Sequence, residues 1–317
     1  MEIVERIREE ARKALEEKKV ELIIGFEEGS LPLRTTPAFI KSIDAVERLI
    51  WNATCENNLA NYLLRLKIKG KVGIVAKGCD ARSIINAIKE RQIERDMVFI
   101  IGVPCTGMVD RKGIKERFDE AEILEAIEVN GQIKVKGERF EGSFNISDFL
   151  YDSCKTCTQK TPSLYDVIVG DEVKEREDVD EFREIREFEK KSPDERWAYF
   201  TREIESCIRC YACRNVCPLC YCKECFIDQS RPQWFGRSID ESDRMIFHII
   251  RVFHTAGRCV DCGACERACP MGIDLRKLTK KVEKDVVELY NYKAGIDLET
   301  VPPLATYKED DPQEFIK

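Results

Sequence analysis

Residues 207–225 read "CIRCYACRNVCPLCYCKEC", seven cysteines in nineteen positions. The first four, Cys207, Cys210, Cys213 and Cys217 followed by Pro218, are spaced C-x2-C-x2-C-x3-C-P. The same spacing returns at Cys259, Cys262, Cys265 and Cys269 before Pro270. Paired runs of this kind are the spacing of bacterial two-cluster ferredoxins. Three thiolates at intervals of three wrap one cubane through a tight turn, and a helix carries the fourth to the other cluster. The spacing predicts one 4Fe-4S cluster on Cys207, Cys210, Cys213 and Cys269, and a second on Cys259, Cys262, Cys265 and Cys217. Zinc sites favour two separated pairs, and only His248 and His254 are available for mixed ligation.

Working outward, 317 residues with 43% hydrophobic content are enough for two or three domains with a real core. A charged fraction of 35% and a net charge of −7 are spread along the chain without a basic stripe, so nucleic acid is not an expected partner. The first stretch, "MEIVERIREEARKALEEKKVE", is acidic and amphipathic and has no signal-peptide apolar region. No stretch approaches the roughly 18 apolar residues of a membrane span. The expectation is a soluble, cytoplasmic protein. In a reducing compartment sixteen clustered cysteines point to metal ligation rather than disulfides.

Between residues 20 and 170, β-rich runs such as "VELIIGF", "KVGIVAK" and "MVFIIGV" alternate with helical patterns such as "ENNLANYLLRLKI" and "ARSIINAIKERQ". That alternation predicts βαβ units around a mainly parallel sheet, and Asn130-Gly131 between apolar runs predicts an added hairpin. Residues 171–190 hold ten acids and five bases, with Phe182, Ile185 and Phe188 on one helical face, and read as a solvated linker helix or a partner-docking one. The fold class expected is an α/β N-terminal domain (1–170), a charged helical linker (171–200), an α+β or α-rich dicluster ferredoxin-like domain with a cysteine-rich insertion (201–290), and an extended tail (291–317). Within the third unit, "RSIDESDRMIFHIIRVFHTAGR" predicts a helix that packs through Ile246, Ile249, Ile250 and Phe253, with both histidines satisfied or exposed rather than ligating.

Eight cysteines remain. Cys220, Cys222 and Cys225 crowd beside a cluster loop and suggest a fourth cluster that needs one more ligand. In the first half, Cys79 lies just after a predicted strand and before a helix that Asp80 is placed to cap, and Cys105 occupies the equivalent place after the next strand. Both would emerge at the carboxyl edge of the sheet, where such folds bind ligands. Cys154 and Cys157 form a C-x2-C pair. Cys55, in the helical-looking "WNATCENNLANYL", reads as a buried structural thiol or as a ligand. Four of Cys55, Cys79, Cys105, Cys154 and Cys157 are expected to hold a third 4Fe-4S cluster. If the fifth completed the Cys220, Cys222 and Cys225 set, four cubanes would use all sixteen cysteines.

"KGCDARSI" (77–84), "GVPCTG" (102–107) and "CKTCTQKTPSLYDVIVGD" (154–171) together resemble the beta subunits of deazaflavin-reducing hydrogenases and formate dehydrogenases, over roughly residues 45–172. The resemblance implies an α/β domain with an iron-sulfur cluster, held by Cys79 or Cys105 with Cys154 and Cys157, and a flavin that exchanges electrons with a catalytic partner. The glycine-rich S-G-G segment of such subunits is missing, and Gly29, Ser30 and Thr36 in "EEGSLPLRTTP" (27–37) are its nearest substitute. The leading reading is an electron-transfer subunit of a cytoplasmic anaerobic redox complex. Its partner would be a hydrogenase, a formate dehydrogenase or a heterodisulfide-reductase-like flavoprotein. The alternative is an FAD-containing oxidoreductase subunit that itself reduces a deazaflavin, a nicotinamide or a small acceptor. No catalytic residue set and no Walker loop stands out. Thr156, Tyr211 and Tyr221 are hydroxyl candidates for tuning cluster potential.

Overall fold

The structure, a computed structural model, describes residues 2–65, 70–118, 122–174 and 179–306. The last residues of the predicted 56–68 helix, residues 175–178 of the linker and 307–317 of the tail lie outside them. The first half is built from α1 (Glu2–Glu16), β1 (Leu22–Glu28), β2 (Thr35–Ile40), α2 (Ala60–Arg65), β3 (Val72–Ala76), α3 (Gly78–Lys89), β4 (Val98–Gly102) and α4 (Arg111–Arg117). Then come β5 (Ile123–Val129), β6 (Gln132–Gly137), β7 (Glu141–Asn145), α5 (Asp152–Lys155) and β8 (Val167–Ile168).

One sheet has the order β2-β1-β3-β4-β8, parallel from β1 to β8 with β2 added antiparallel at its edge. All five residues of β3 are buried, as expected of a central parallel strand covered on both faces. Ile23, Val75 and Ile101 face α1 through Ile7, Ala11 and Ala14. Ile24, Ile74 and Ile100 face the opposite side with Leu59 and Ile84. The fold class read from the sequence therefore holds for this half. The expected hairpin is present: Val129 pairs with Gln132 across Asn130 (φ 52°) and Gly131 (φ 75°), the doubly positive φ of a two-residue turn. It is extended by β7 into a three-stranded antiparallel sheet.

The second half comprises α6 (Arg183–Glu189), α7 (Pro193–Glu205), α8 (Ala212–Asn215), α9 (Glu241–His254), α10 (Ala264–Arg267) and α11 (Leu275–Tyr290), with no strand among the described residues, so it is α-rich. Start signals are clear at α7, where Ser192 and Glu195 form a reciprocal capping box that spans Pro193 at the first helical position. The charges of α6 and the residues before it are not simply solvated. Glu181, Glu184 and Glu189 pair with Lys280, Lys277 and Lys284 of α11 at 3.0–3.2 Å, while Phe182 and Ile185 are buried.

The buried stripe of α9 differs from the one its apolar pattern predicts. Phe247, His248, Arg251 and Val252 are buried, whereas Ile249 and Phe253 are exposed and line an apolar groove with Trp197. Two polar side chains turn inward because cysteines lie on that side, and hydrophobic periodicity does not register such a demand. Among the described residues no helix is long and apolar enough to cross a membrane.

Candidate metal centres

Cys79, Cys105, Cys154 and Cys157 line one cavity at the carboxyl ends of the parallel strands, the edge at which open α/β sheets bind ligands. Cys79 sits in the first turn of α3, Cys105 three residues beyond β4, and Cys154 and Cys157 on and just after α5. Asp80 organises the first of these turns. Its Oδ2 accepts from the Lys77 amide at 2.8 Å and pairs with Lys77 Nζ at 2.9 Å, and its Oδ1 accepts from the Leu59 amide at 2.8 Å. The Cys105 amide donates to the Lys160 carbonyl at 3.0 Å, and the Met108 amide donates to Cys154 Sγ at 3.4 Å.

Cys55 lies apart from this quartet. It is fully buried among Phe26, Leu59 and Ile74, and its Sγ accepts from the Asn52 amide at 3.4 Å. The stretch around it is not helical before Ala60. Asn52 and Asn58 offer their side-chain oxygens to the amides of Thr54 at 2.8 Å and Ala60 at 3.1 Å, and such local bonds compete with helix formation.

Cys217, Cys259, Cys262 and Cys265 line a second cavity. Cys207 and Cys213 are buried in the neighbouring apolar cluster, with Cys269 packed against it, and the Cys207 thiol feels those of Cys269 and Cys210. The two repeats share a backbone design. Arg209 and Asp261 have φ of 57° and 52°, and Tyr211 and Gly263, two residues on, have 59° and 70°. Of the three surplus cysteines, Cys220 lies beside Cys217, Cys225 lies beside Arg214, and Cys222 is exposed. The described residues do not bring Cys55 to complete this set.

Burial pushes the thiols of Cys105 and Cys262 up to about 12 and that of Cys213 up to about 11, so these groups ionise only where something positive takes the proton's place. The protein supplies part of that charge. Burial works against the charge of Lys77, but Asp80, Cys79 and Cys105 outweigh it and hold the ammonium protonated. Arg251 acts in the same way on Cys265, Cys217 and Cys213.

Iron-sulfur clusters fit these surroundings. Arg251 lines the second cavity and its Nε and Nη1 are buried without a hydrogen-bond partner; Arg82 lines the first cavity and its Nη2 is in the same state. Buried guanidinium N–H groups left without an acceptor are costly, and an anionic cluster beside them would offset that cost. Among the described residues no three His, Cys, Asp or Glu side chains close on the point a single metal ion would occupy; the Cys79 and Cys259 quartets line cavities instead.

Val260, Asp261 and Cys262 line both cavities. Arg276 fixes this shared wall, bonding Asp261 at 2.6 and 2.8 Å and Thr156 Oγ1 at 2.7 Å. The hydroxyls singled out in the sequence are engaged by arginines: Thr156 by Arg276, Tyr211 by Arg209 at 3.1 Å, and Tyr221 by Arg258 at 2.6 Å. Sequence reasoning did not find Arg82, Arg251 or the role of His248, whose Nε2 lies 3.2 Å from Cys207 Sγ; their only signal was polar residues on otherwise apolar helix faces. Gly29 and Ser30 line a groove of about 340 Å³ between their loop and β5, while Thr36 lies in β2 outside it.

Residues 69–182 match the family model for the C-terminal region of the coenzyme F420 hydrogenase/dehydrogenase beta subunit, and residues 203–273 match that of the 4Fe-4S dicluster domain. The resemblance carried by the three short motifs holds over the first span, and the second supports at least two 4Fe-4S clusters. The F420-dependent formate dehydrogenase subunit beta of Methanocaldococcus jannaschii is 24% identical over 92% of this chain and 91% of that protein. The F420-dependent formate dehydrogenase 1 subunit beta of Methanococcus maripaludis is 22% identical over 84% of each. A solved structure of the F420-reducing NiFe hydrogenase complex from Methanosarcina barkeri contains a chain with 16% identity and a TM-score of 0.37, aligned over 50% of this chain and 58% of that one.

Proposed function

We propose that the chain is the iron-sulfur beta subunit of an F420-linked formate dehydrogenase or hydrogenase complex, and that its task is to carry single electrons between a catalytic subunit and another carrier. A 4Fe-4S cluster supplies one-electron chemistry with no change in bonded atoms. Cys207, Cys210, Cys213 and Cys269 would hold the first; Cys259, Cys262, Cys265 and Cys217 the second; and Cys79, Cys105, Cys154 and Cys157 a third. On this reading residues 1–170 are the unit of the third cluster and 201–290 that of the first two.

The observation that carries the reading is the common wall of Val260, Asp261 and Cys262 between the two cysteine-lined cavities. It makes the sites neighbours with a ligand of one facing the other. The Cys79 quartet, the Cys259 repeat and the Cys207 repeat then form a continuous series through the protein. Lys77, Arg82, Arg251 and Arg267 offset the negative charge that such a series gathers in a low-dielectric interior.

The test is iron, acid-labile sulfide and extractable flavin per chain after purification without oxygen. About twelve irons and no flavin are expected, at four irons per quartet. The second reading, a flavin-bearing oxidoreductase, draws on the groove beside Gly29 and Ser30. About eight irons with one flavin would favour it.

A further inference from the structure

The two ferredoxin repeats place opposite charges at the same backbone position. Arg209, two residues after Cys207, and Asp261, two residues after Cys259, are both left-handed, and each donates its amide to the Sγ of the first cysteine of its repeat at 3.4 Å. Both side chains are buried.

Their partners differ. The Arg209 guanidinium bonds the carbonyls of Ser238 and Gly236 and the hydroxyl of Tyr211, groups with no charge to cancel its own. On the same side His248 brings Nε2 to 3.2 Å from Cys207 Sγ, while its Nδ1 has no hydrogen-bond partner. A neutral imidazole has one N–H, and a thiolate can only accept, so Nε2 carries the proton toward sulfur. Around Cys259, Asp261 and Glu283 face Arg276 and Lys280, two acids against two bases. Arg251 acts on Cys265 and Cys217 of one quartet and on Cys213 of the other, and Arg267 acts on Cys262, so the contrast that counts is the one at the first cysteine of each repeat.

We propose that the Arg209/Asp261 exchange, together with the His248 N–H, sets the Cys207 quartet at the higher reduction potential of the two. This rests on the reading that both quartets hold 4Fe-4S clusters. A net positive charge and an N–H donor to ligand sulfur stabilise the reduced, more negative state, and a charge-balanced surrounding does not. Arg209, Asp261 and His248 are positioning residues that act through Cys207 and Cys259. The Cys207 quartet becomes the favoured resting place of an electron shared between the two.

The experiment is a redox titration followed by electron paramagnetic resonance on the full chain, with iron and sulfide measured on each sample. Cys210→Ala and Cys262→Ala assign the signals, each by the loss of one. Of the two signals so assigned, that of the Cys207 quartet should be the upper step and that of the Cys259 quartet the lower, and the Cys79 quartet's signal should persist in both variants. Arg209→Gln should shift that step downward and leave the lower one in place. His248→Leu should shift it in the same direction and His248→Gln, which keeps an N–H donor, should restore most of the shift. Asp261→Asn should raise the lower step; if it unfolds the chain by freeing Arg276 and Lys280, the Arg209 and His248 variants decide. An upper step on the Cys259 quartet, or an Arg209→Gln chain with full iron and unmoved potentials, overturns the inference. Fewer than about eight irons in the unsubstituted chain overturns the reading beneath it, and the inference with it.

Discussion

Arg82 Nη1 donates to the Val260 carbonyl at 3.0 Å, tying the helix that carries Cys79 to the loop that carries Cys259 and Cys262. Its Nε donates to the Ala294 carbonyl at 2.9 Å, so one buried side chain of α3 clasps two segments of the second half. Arg82→Leu removes two charge-assisted bonds and leaves two carbonyls unpaired. The expected loss is about 3 kcal/mol or more. It should appear as a lower Tm and as faster amide exchange around residues 258–265, and an unchanged exchange pattern there would argue against the clasp.

Cys79→Ser should remove the iron of the α/β quartet and spare both ferredoxin quartets, a loss of about four irons. The measurement is iron per chain beside the spectroscopic signals of the reduced protein. Cys55→Ser provides the contrast. Because Cys55 is buried outside the cavity, iron should stay constant while stability falls, since a hydroxyl replaces a thiol in an apolar core.

Gly263 is a position where a side chain has no room. Its φ is 70°, and a Cβ would stand 2.5 Å from Ser153 Oγ and 2.7 Å from Arg267 Nη1. Tyr211 holds the equivalent place in the first repeat with a similar φ, so the turn by itself admits a side chain and the requirement at Gly263 comes from the close approach of Ser153 and Arg267. Gly263→Ala should cost roughly 1–3 kcal/mol and reduce iron at the Cys259 quartet. Retention of full iron and Tm would refute the close approach.

Asp274 caps α11, accepting from the Lys277 amide at 3.1 Å and from Tyr199 Oη at 2.7 Å. Burial raises its pKa, but hydrogen bonds from Lys277 and Tyr199 and the Lys277 charge outweigh that and hold it below the usual aspartate range. A depressed carboxylate contributes stability that is present above its unfolded value and is lost as pH falls through the folded one. The Tm of the full chain should therefore drop on acidification below about pH 4. Asp274→Asn should lower Tm at neutral pH and flatten this acid limb; an equally steep limb in the variant would exclude Asp274 as its source.

What could be read from the sequence was what repeats at short range. The C-x2-C-x2-C-x3-C-P spacing, the buried run "VGIVA" and the Asn130-Gly131 turn each carry their geometry within a dozen residues. The strand Thr35–Ile40 was not legible, because an edge strand with alternate residues exposed leaves little apolar signal. Nor was Glu141–Asn145, whose register is imposed by pairing with Gln132–Lys136. The parts of the site that stayed hidden depend on contact across the chain: Arg82 meets Val260, and Arg276 meets Thr156. Neither pair has a local pattern. The stretch around Cys55 misled for the opposite reason, since it looks helical until the asparagine side chains are seen capping their own turns.

The wall of Val260, Asp261 and Cys262 has a consequence for maturation of the protein. On the proposed reading each cavity keeps its own set of cysteines, but seating cofactor on one side sets the partition that the other must fit. The rate of loading at one site should then depend on the other: under limiting iron and sulfide the Cys259 quartet of Cys79→Ser should fill more slowly than that of the unsubstituted chain, while reaching the same final iron content.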